Sequence, residues 1–145
     1  MTAADRLKKI LNEAPQKLFS YTDEQASQKP APNKWSKKEI IGHLIDSAAN
    51  NHQRFVRLQL DNKLQLLQYE QNEWVNIQRY NSRNWIDLVK FWMIYNMHII
   101  HIFENMDQTK MQNTGTFPDH GEQTLQFIVD DYVDHMEHHL KQVFS

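Results

Sequence analysis

Three histidines crowd the last stretch of the chain, Asp131-Tyr-Val-Asp-His135-Met-Glu-His138-His139-Leu-Lys-Gln142. Imidazole is the commonest metal ligand among side chains, and it titrates close to neutral pH. His135 and His139 are four residues apart. On a helix that spacing stacks them on one face and lets both rings reach a single ion. The pattern differs from the zinc-protease H-E-x-x-H, whose Glu directly follows the first His. Glu137 lies two residues after His135, roughly 200° round the helix, and so points away from such an ion.

A helical wheel at about 100° per residue sharpens the assignment. With His135 at zero, Leu125, Ile128, Val129, Tyr132, Met136, Leu140 and Val143 centre near roughly 90°. His139, at about 40°, joins His135 on the flank of that buried face, whereas His138, at about 300°, looks toward water. An inward pair of imidazoles fits two readings: boundary residues of an ordinary core, or two ligands of one ion. Two ligands are too few for a metal site, so a third would have to come from elsewhere.

The rest of the chain must position this pair. At 145 residues it is long enough for one domain with a proper core. Its net charge is only −2, and its Lys and Arg residues are scattered among acids, which argues against a nucleic-acid footprint. There is no cysteine, hence no disulfide framework and no protein thiol for nucleophilic chemistry. No run of apolar residues is long enough to span a membrane, and the stretch MTAADRLKK has no signal-peptide character. A cytoplasmic location is therefore expected. With only 3 glycines and no turn-rich runs between alternating segments, the pattern favours helices over strands.

Four amphipathic stretches follow. In the first, about residues 3–20, Leu7, Ile10, Leu11, Ala14 and Leu18 share a stripe, and Pro15 predicts a kink or break. Thr22-Asp-Glu-Gln25 signals a further short turn of helix. After the proline-containing linker 29–34, Ser36 caps the second long helix, Glu39 completes a capping box, and Trp35 is placed to staple onto Ile40. This helix runs to about Leu60 and buries Ile40, Ile41, Leu44, Ile45, Ala48, Phe55 and Val56. His43 lies roughly 140° from the centre of that face, on a stripe continued by Ser47, Asn50 and Arg54. Taken alone, such a polar stripe reads as solvated surface; it also suits the lining of a pocket between helices.

Residues 61–81 follow no clean period and predict a long crossover loop, with a turn of helix about 72–77; a loop of this length usually covers something. Ser82 is the expected cap of a third helix, about 83–107, which buries Trp85, Leu88, Val89, Trp92, Asn96, Ile99, Ile100 and Phe103. His98 and His101 fall on its outer side with Phe91, Ile94 and Ile102. An exposed apolar strip of this kind predicts a subunit contact, here a homodimer. A loop over 108–121, holding His120, leads to the fourth helix, about 122–143. The sum is an all-α four-helix bundle with a long central crossover.

The stretch Trp35-Ser-Lys-Lys-Glu-Ile-Ile-Gly-His43-Leu-Ile-Asp46-Ser47, paired with His135-x-x-x-His139-x-x-Gln142, resembles the DinB/YfiT-like family over nearly the full length. Together with Tyr69-Glu-Gln-Asn-Glu-Trp74 it is most similar to the branch that contains the bacillithiol transferases. The resemblance implies a bundle that holds one divalent metal ion (zinc, nickel or iron) on His43, His135 and His139. It leaves His138, His98 and His101 outside the site. Three imidazoles leave a coordination position open, which is the catalytic pattern. Ring N–H groups of metal-bound histidines need orienting partners. Asp46, one turn after His43, and Asp131, one turn before His135, are candidates; each also reads as a plain helix-surface carboxylate.

Three functions are compatible with this. The first is a thiol-dependent S-transferase joining a low-molecular-weight thiol to a small-molecule electrophile. The second is a metal-dependent hydrolase that uses water. The third is a non-catalytic metal-binding stress-response bundle.

Overall fold

A computed structural model describes all residues, Met1–Ser145. The helices are α1 (Ala3–Phe19), the short α2 (Asp23–Ser27), α3 (Lys37–Leu60), α4 (Gln71–Gln78), α5 (Trp85–Glu104) and α6 (Leu125–Phe144). The four long ones, α1, α3, α5 and α6, make the bundle. Each begins at a polar side chain that accepts an otherwise orphaned backbone N–H. Thr2 accepts from Asp5, Ser36 from Glu39, Asn84 from Asp87 and Thr124 from Phe127. The expected capping box at Ser36 and Glu39 is present. The third bundle helix starts at Asn84 rather than Ser82, because Tyr80–Ser82 closes as a 3-10 turn instead.

Pro15 does not break α1, which runs continuously from Ala3 to Phe19 with Pro15 buried. The ring removes one hydrogen-bond donor. However, Leu7, Ala14 and Leu18 are buried on either side of it and hold the turn against α5 and α6. The bundle interior is closed by Trp85 and Trp92, both fully buried. The indole N–H of Trp85 donates to the Leu18 carbonyl at 2.8 Å, tying α5 to the end of α1.

The crossover is more ordered than a loop. It carries β1 (Leu64–Gln65) and then α4, which extends the expected turn of helix to eight residues. A second departure is a small sheet. β2 (Thr114–Phe117) pairs in parallel with β1, Leu64 opposite Gly115, and antiparallel with β3 (Gly121–Thr124), Thr114 opposite Thr124. Strands of two to four residues are too short to show a period of two. Because 121–124 are paired in the sheet, α6 begins at Leu125 and not at 122.

The crossover also changes the environment of α3. Every residue from Lys38 to Ala48 is buried, so this half of the helix has no solvated face. The cause is visible at Gly42, where a Cβ would stand 2.2 Å from Cδ2 of Tyr80. The Tyr80 ring lies directly against the helix backbone, and its hydroxyl donates to Asp46 Oδ1 at 2.6 Å. The polar stripe of α3 is thereby enclosed.

On the outside of α5, Phe91 and Ile94 are 43% and 66% exposed, whereas Ile102 is half-buried against the core. The exposed strip is therefore centred on Phe91, Ile94 and Met97. No helix is long and apolar enough to cross a membrane.

Gly42→Ala should displace the Tyr80 ring and cost about 1–3 kcal/mol, the usual range for overpacking. Thermal unfolding monitored by circular dichroism would read this as a Tm lowered by several degrees. An unchanged Tm would mean that Tyr80 is not held against α3.

Candidate metal centre

The enclosed half of α3 brings His43 to the inward flank of α6. His43 is fully buried, while His135 and His139 are partly buried. The ring centroids stand 4.9 Å apart for His43 and His135, 4.7 Å for His43 and His139, and 4.5 Å for His135 and His139. One nitrogen from each ring lies within 4.8 Å of the others. The helical phase of the last helix is as expected from the sequence, and His138 is exposed outside the group. Glu137 points elsewhere, accepting from Arg6 of α1 at 2.8 Å. His98 and His101 lie on the outer side of the bundle, where His98 is 5.3 Å from His52 by ring centroid.

The electrostatics favour three neutral rings. Burial, then the neighbouring His135 and His139, push the pKa of His43 down to about 3. Burial, then His139 and His138, push His135 down to about 4. Burial also lowers His139, against the opposing hydrogen bond that its ring donates to Gln142. Neutral imidazoles carry the lone pairs that a metal requires. No carboxylate forms an ion pair with any of the three.

Two nitrogens test the fit of an ion. His43 Nε2 and His135 Nε2 face each other at 3.1 Å. Two ligands of one tetrahedral zinc, each about 2.0–2.1 Å from it, stand roughly 3.3 Å apart. His139 supplies the third: its Nδ1–H donates to Gln142 Oε1 at 2.8 Å, which leaves the Nε2 lone pair for the cluster. Three convergent imidazoles without a bound carboxylate suit zinc, nickel or iron, and the residues present fit the ion.

The two acidic candidates are placed differently from what their spacing suggested. Asp46 is buried, but its Oδ1 accepts from Tyr80 and from Gln78 Nε2 (2.9 Å), and no hydrogen bond joins it to His43. Asp46 Oδ2 and His43 Nδ1 are both buried without a partner. Burial raises the Asp46 carboxyl, with the Tyr80 and Gln78 hydrogen bonds opposing. Asp131 makes no bond to His135; it lines a neighbouring cavity, and burial raises its pKa as well. The residue that does orient a ligand ring is Gln142. Its position one turn after His139 was the available signal.

Trp35 contributes more than a staple. Its ring centroid is 4.8 Å from that of His43 and 6.3 Å from that of His139, so it walls one side of the cluster. A cavity of about 480 Å³ opens there, lined by Trp35, Ile40, Asn72, His139 and Gln142 among others. A second cavity of about 380 Å³ opens further along α3 and α6, near Asp131.

The chain was compared with known proteins. A relative from Halalkalibacterium halodurans, named "Putative metal-dependent hydrolase BH0277", is 23% identical over 113 residues. That match takes in 77% of this chain and only 64% of the relative's length. The solved structure of YfiT from Bacillus subtilis superposes with a TM-score of 0.83 at 19% identity, covering 97% of this chain and 83% of YfiT. It is described as a probable metal-dependent hydrolase with an unusual four-helix bundle topology. At that identity the likeness speaks for the fold. The family model of the DinB superfamily matches residues 3–143, and the chain belongs to that superfamily.

Proposed function

We propose that the chain is a divalent-metal-dependent enzyme that transfers a low-molecular-weight thiol to a small-molecule electrophile. The observation that carries the metal part is the convergence of His43, His135 and His139, one nitrogen from each ring lying within 4.8 Å of the others and burial favouring the neutral rings. A divalent ion held there supplies a Lewis acid that makes a nearby thiol or water a nucleophile at neutral pH.

The chain's own residues hold and shield that point. His43 is locked by the packing of α3, and Gln142 fixes the tautomer of His139. Trp35 packs its ring against His43 on one side of the cluster. Because the chain has no cysteine, any thiol in the reaction must enter as a substrate. The thiol reading also draws on the resemblance of the Trp35–Ser47 and Tyr69–Trp74 stretches to the thiol-transferase branch. A hydrolase using water is the second reading, and the names of the two relatives favour it. A homodimer joined through Phe91, Ile94 and Met97 completes the proposal; sedimentation showing only monomer at high micromolar concentration would remove it.

Two measurements follow. Zinc retention in equilibrium dialysis should fall by more than about a hundredfold for His139→Ala and by about tenfold for Gln142→Ala, the range seen when an orienting partner is lost. His138→Ala should change little. Burial lowers all three rings, so protons compete only below the ordinary imidazole value of roughly 6.5, and retention should persist below that pH and then fail as the rings protonate. Loss of the ion in His138→Ala with retention in His139→Ala would invert the assigned faces.

For the reaction, the metal-loaded protein is offered an electrophile panel with and without a panel of small thiols. Metal-dependent consumption of thiol supports transfer. Thiol-independent ester or amide cleavage supports the hydrolase and overturns the transfer reading.

A further inference from the structure

Arg54 sits on the same stripe of α3 as His43, about three helical turns further on. It is half-buried, yet it takes part in none of the ion pairs of the protein, which involve Arg6, Lys8, Lys29 and Lys38. One guanidinium nitrogen donates to the Leu67 carbonyl at 2.8 Å and another to Asn51 Oδ1 at 3.3 Å. Its face lies over the Phe117 ring, 4.8 Å from the centroid. A guanidinium has five N–H donors, so part of its fork is unused. Burial without a counter-charge disfavours the cation, and its pKa is correspondingly lowered.

Arg54 lines the cavity of about 380 Å³, together with Tyr69, Phe117, His120 and Asp131 among others. Asp131 is one turn from His135 on α6. By the rise of 1.5 Å per residue, the cavity runs from roughly 6 to 16 Å along the helices from the imidazole cluster. Within a mostly polar lining, Tyr69, Phe117, Phe127 and Ile128 supply apolar surface, and one guanidinium without an ion pair suits a single negative charge better than a dianion. A planar carboxylate matches the guanidinium fork through two parallel hydrogen bonds.

We propose that this cavity is a substrate subsite in which Arg54 binds the carboxylate of an elongated, singly anionic small molecule whose reactive end lies at His43, His135 and His139. The proposal rests on the reading of those histidines as metal ligands. It deepens that reading by naming a substrate class: a carboxylic acid with an apolar spacer of several carbons. Phe117 and Phe127 accommodate the spacer, and the carbonyl of Leu67 holds the guanidinium in place from the crossover.

The test uses zinc-loaded protein and two probes of equal length, ω-mercaptooctanoate and ω-mercaptooctanol, in isothermal titration calorimetry. The wild type should bind the acid at least about tenfold more tightly than the alcohol, as expected for charge-assisted hydrogen bonds. Arg54→Gln should abolish that preference and leave alcohol binding intact. Arg54→Lys should keep a reduced preference, since it retains the charge without the fork. His139→Ala should weaken both probes by the same factor. Equal affinity of the wild type for the two probes, binding of neither, or a preference that survives Arg54→Gln would overturn the subsite. Should Arg54→Gln fail to fold, the wild-type ratio and Arg54→Lys decide: an undiminished preference in Arg54→Lys overturns the role of the fork. If the preference depends on Arg54 but His139→Ala binds both probes like the wild type, the subsite stands and the metal reading fails.

Discussion

Three imidazole rings share one small space between α3 and α6, and each makes it harder for the others to carry a proton. Burial is the larger influence, and the neighbouring rings add to it. Nothing acidic is paired with them. Three imidazole rings converging on one point, with two of their Nε2 atoms 3.1 Å apart, is an arrangement that a divalent cation satisfies. Much of the surrounding structure serves to keep it. Trp35 walls one side, Gln142 turns His139, and the crossover seals the half of α3 that carries His43.

That seal depends on contacts made far along the chain. Tyr80 reaches α3 only because Gly42 offers no side chain, and its hydroxyl and Gln78 together engage Asp46. The Asp46 carboxylate is thus committed to the crossover, one turn from His43, where the spacing alone suggested a partner for that ring. The same crossover presents Leu67 to Arg54, while β2 presents Phe117 beneath it. A segment without a regular hydrophobic period thereby shapes both the imidazole cluster and the adjoining cavity.

How far the sequence reveals this depends on the length scale of each signal. The bundle and the inward pair His135 and His139 were readable because α6 runs for 20 residues with a clear apolar face. The box at Ser36 and Glu39 marked the start of α3 for the same local reason. His43 was not readable from its wheel position. The wheel assumes one wet face, and residues 38–48 have none, so the resemblance to the DinB/YfiT-like family was needed to select it. Of the kink or break expected at Pro15, the break did not occur, because tertiary packing outweighs one lost hydrogen bond. The sheet escaped notice because its strands are two to four residues long. Gln142 and Arg54 were both visible as residues on the relevant helices, but their tasks depend on side-chain placement that only the folded chain provides.

Anomalous diffraction from crystals grown with zinc would locate the ion. One strong peak is expected, bounded by Nε2 of His43, Nε2 of His135 and the ring of His139, with nitrogen–metal distances of about 2.0–2.1 Å. An ion bound instead at the outer pair of His52 and His98, or no ion among the three rings at saturating zinc, would contradict it.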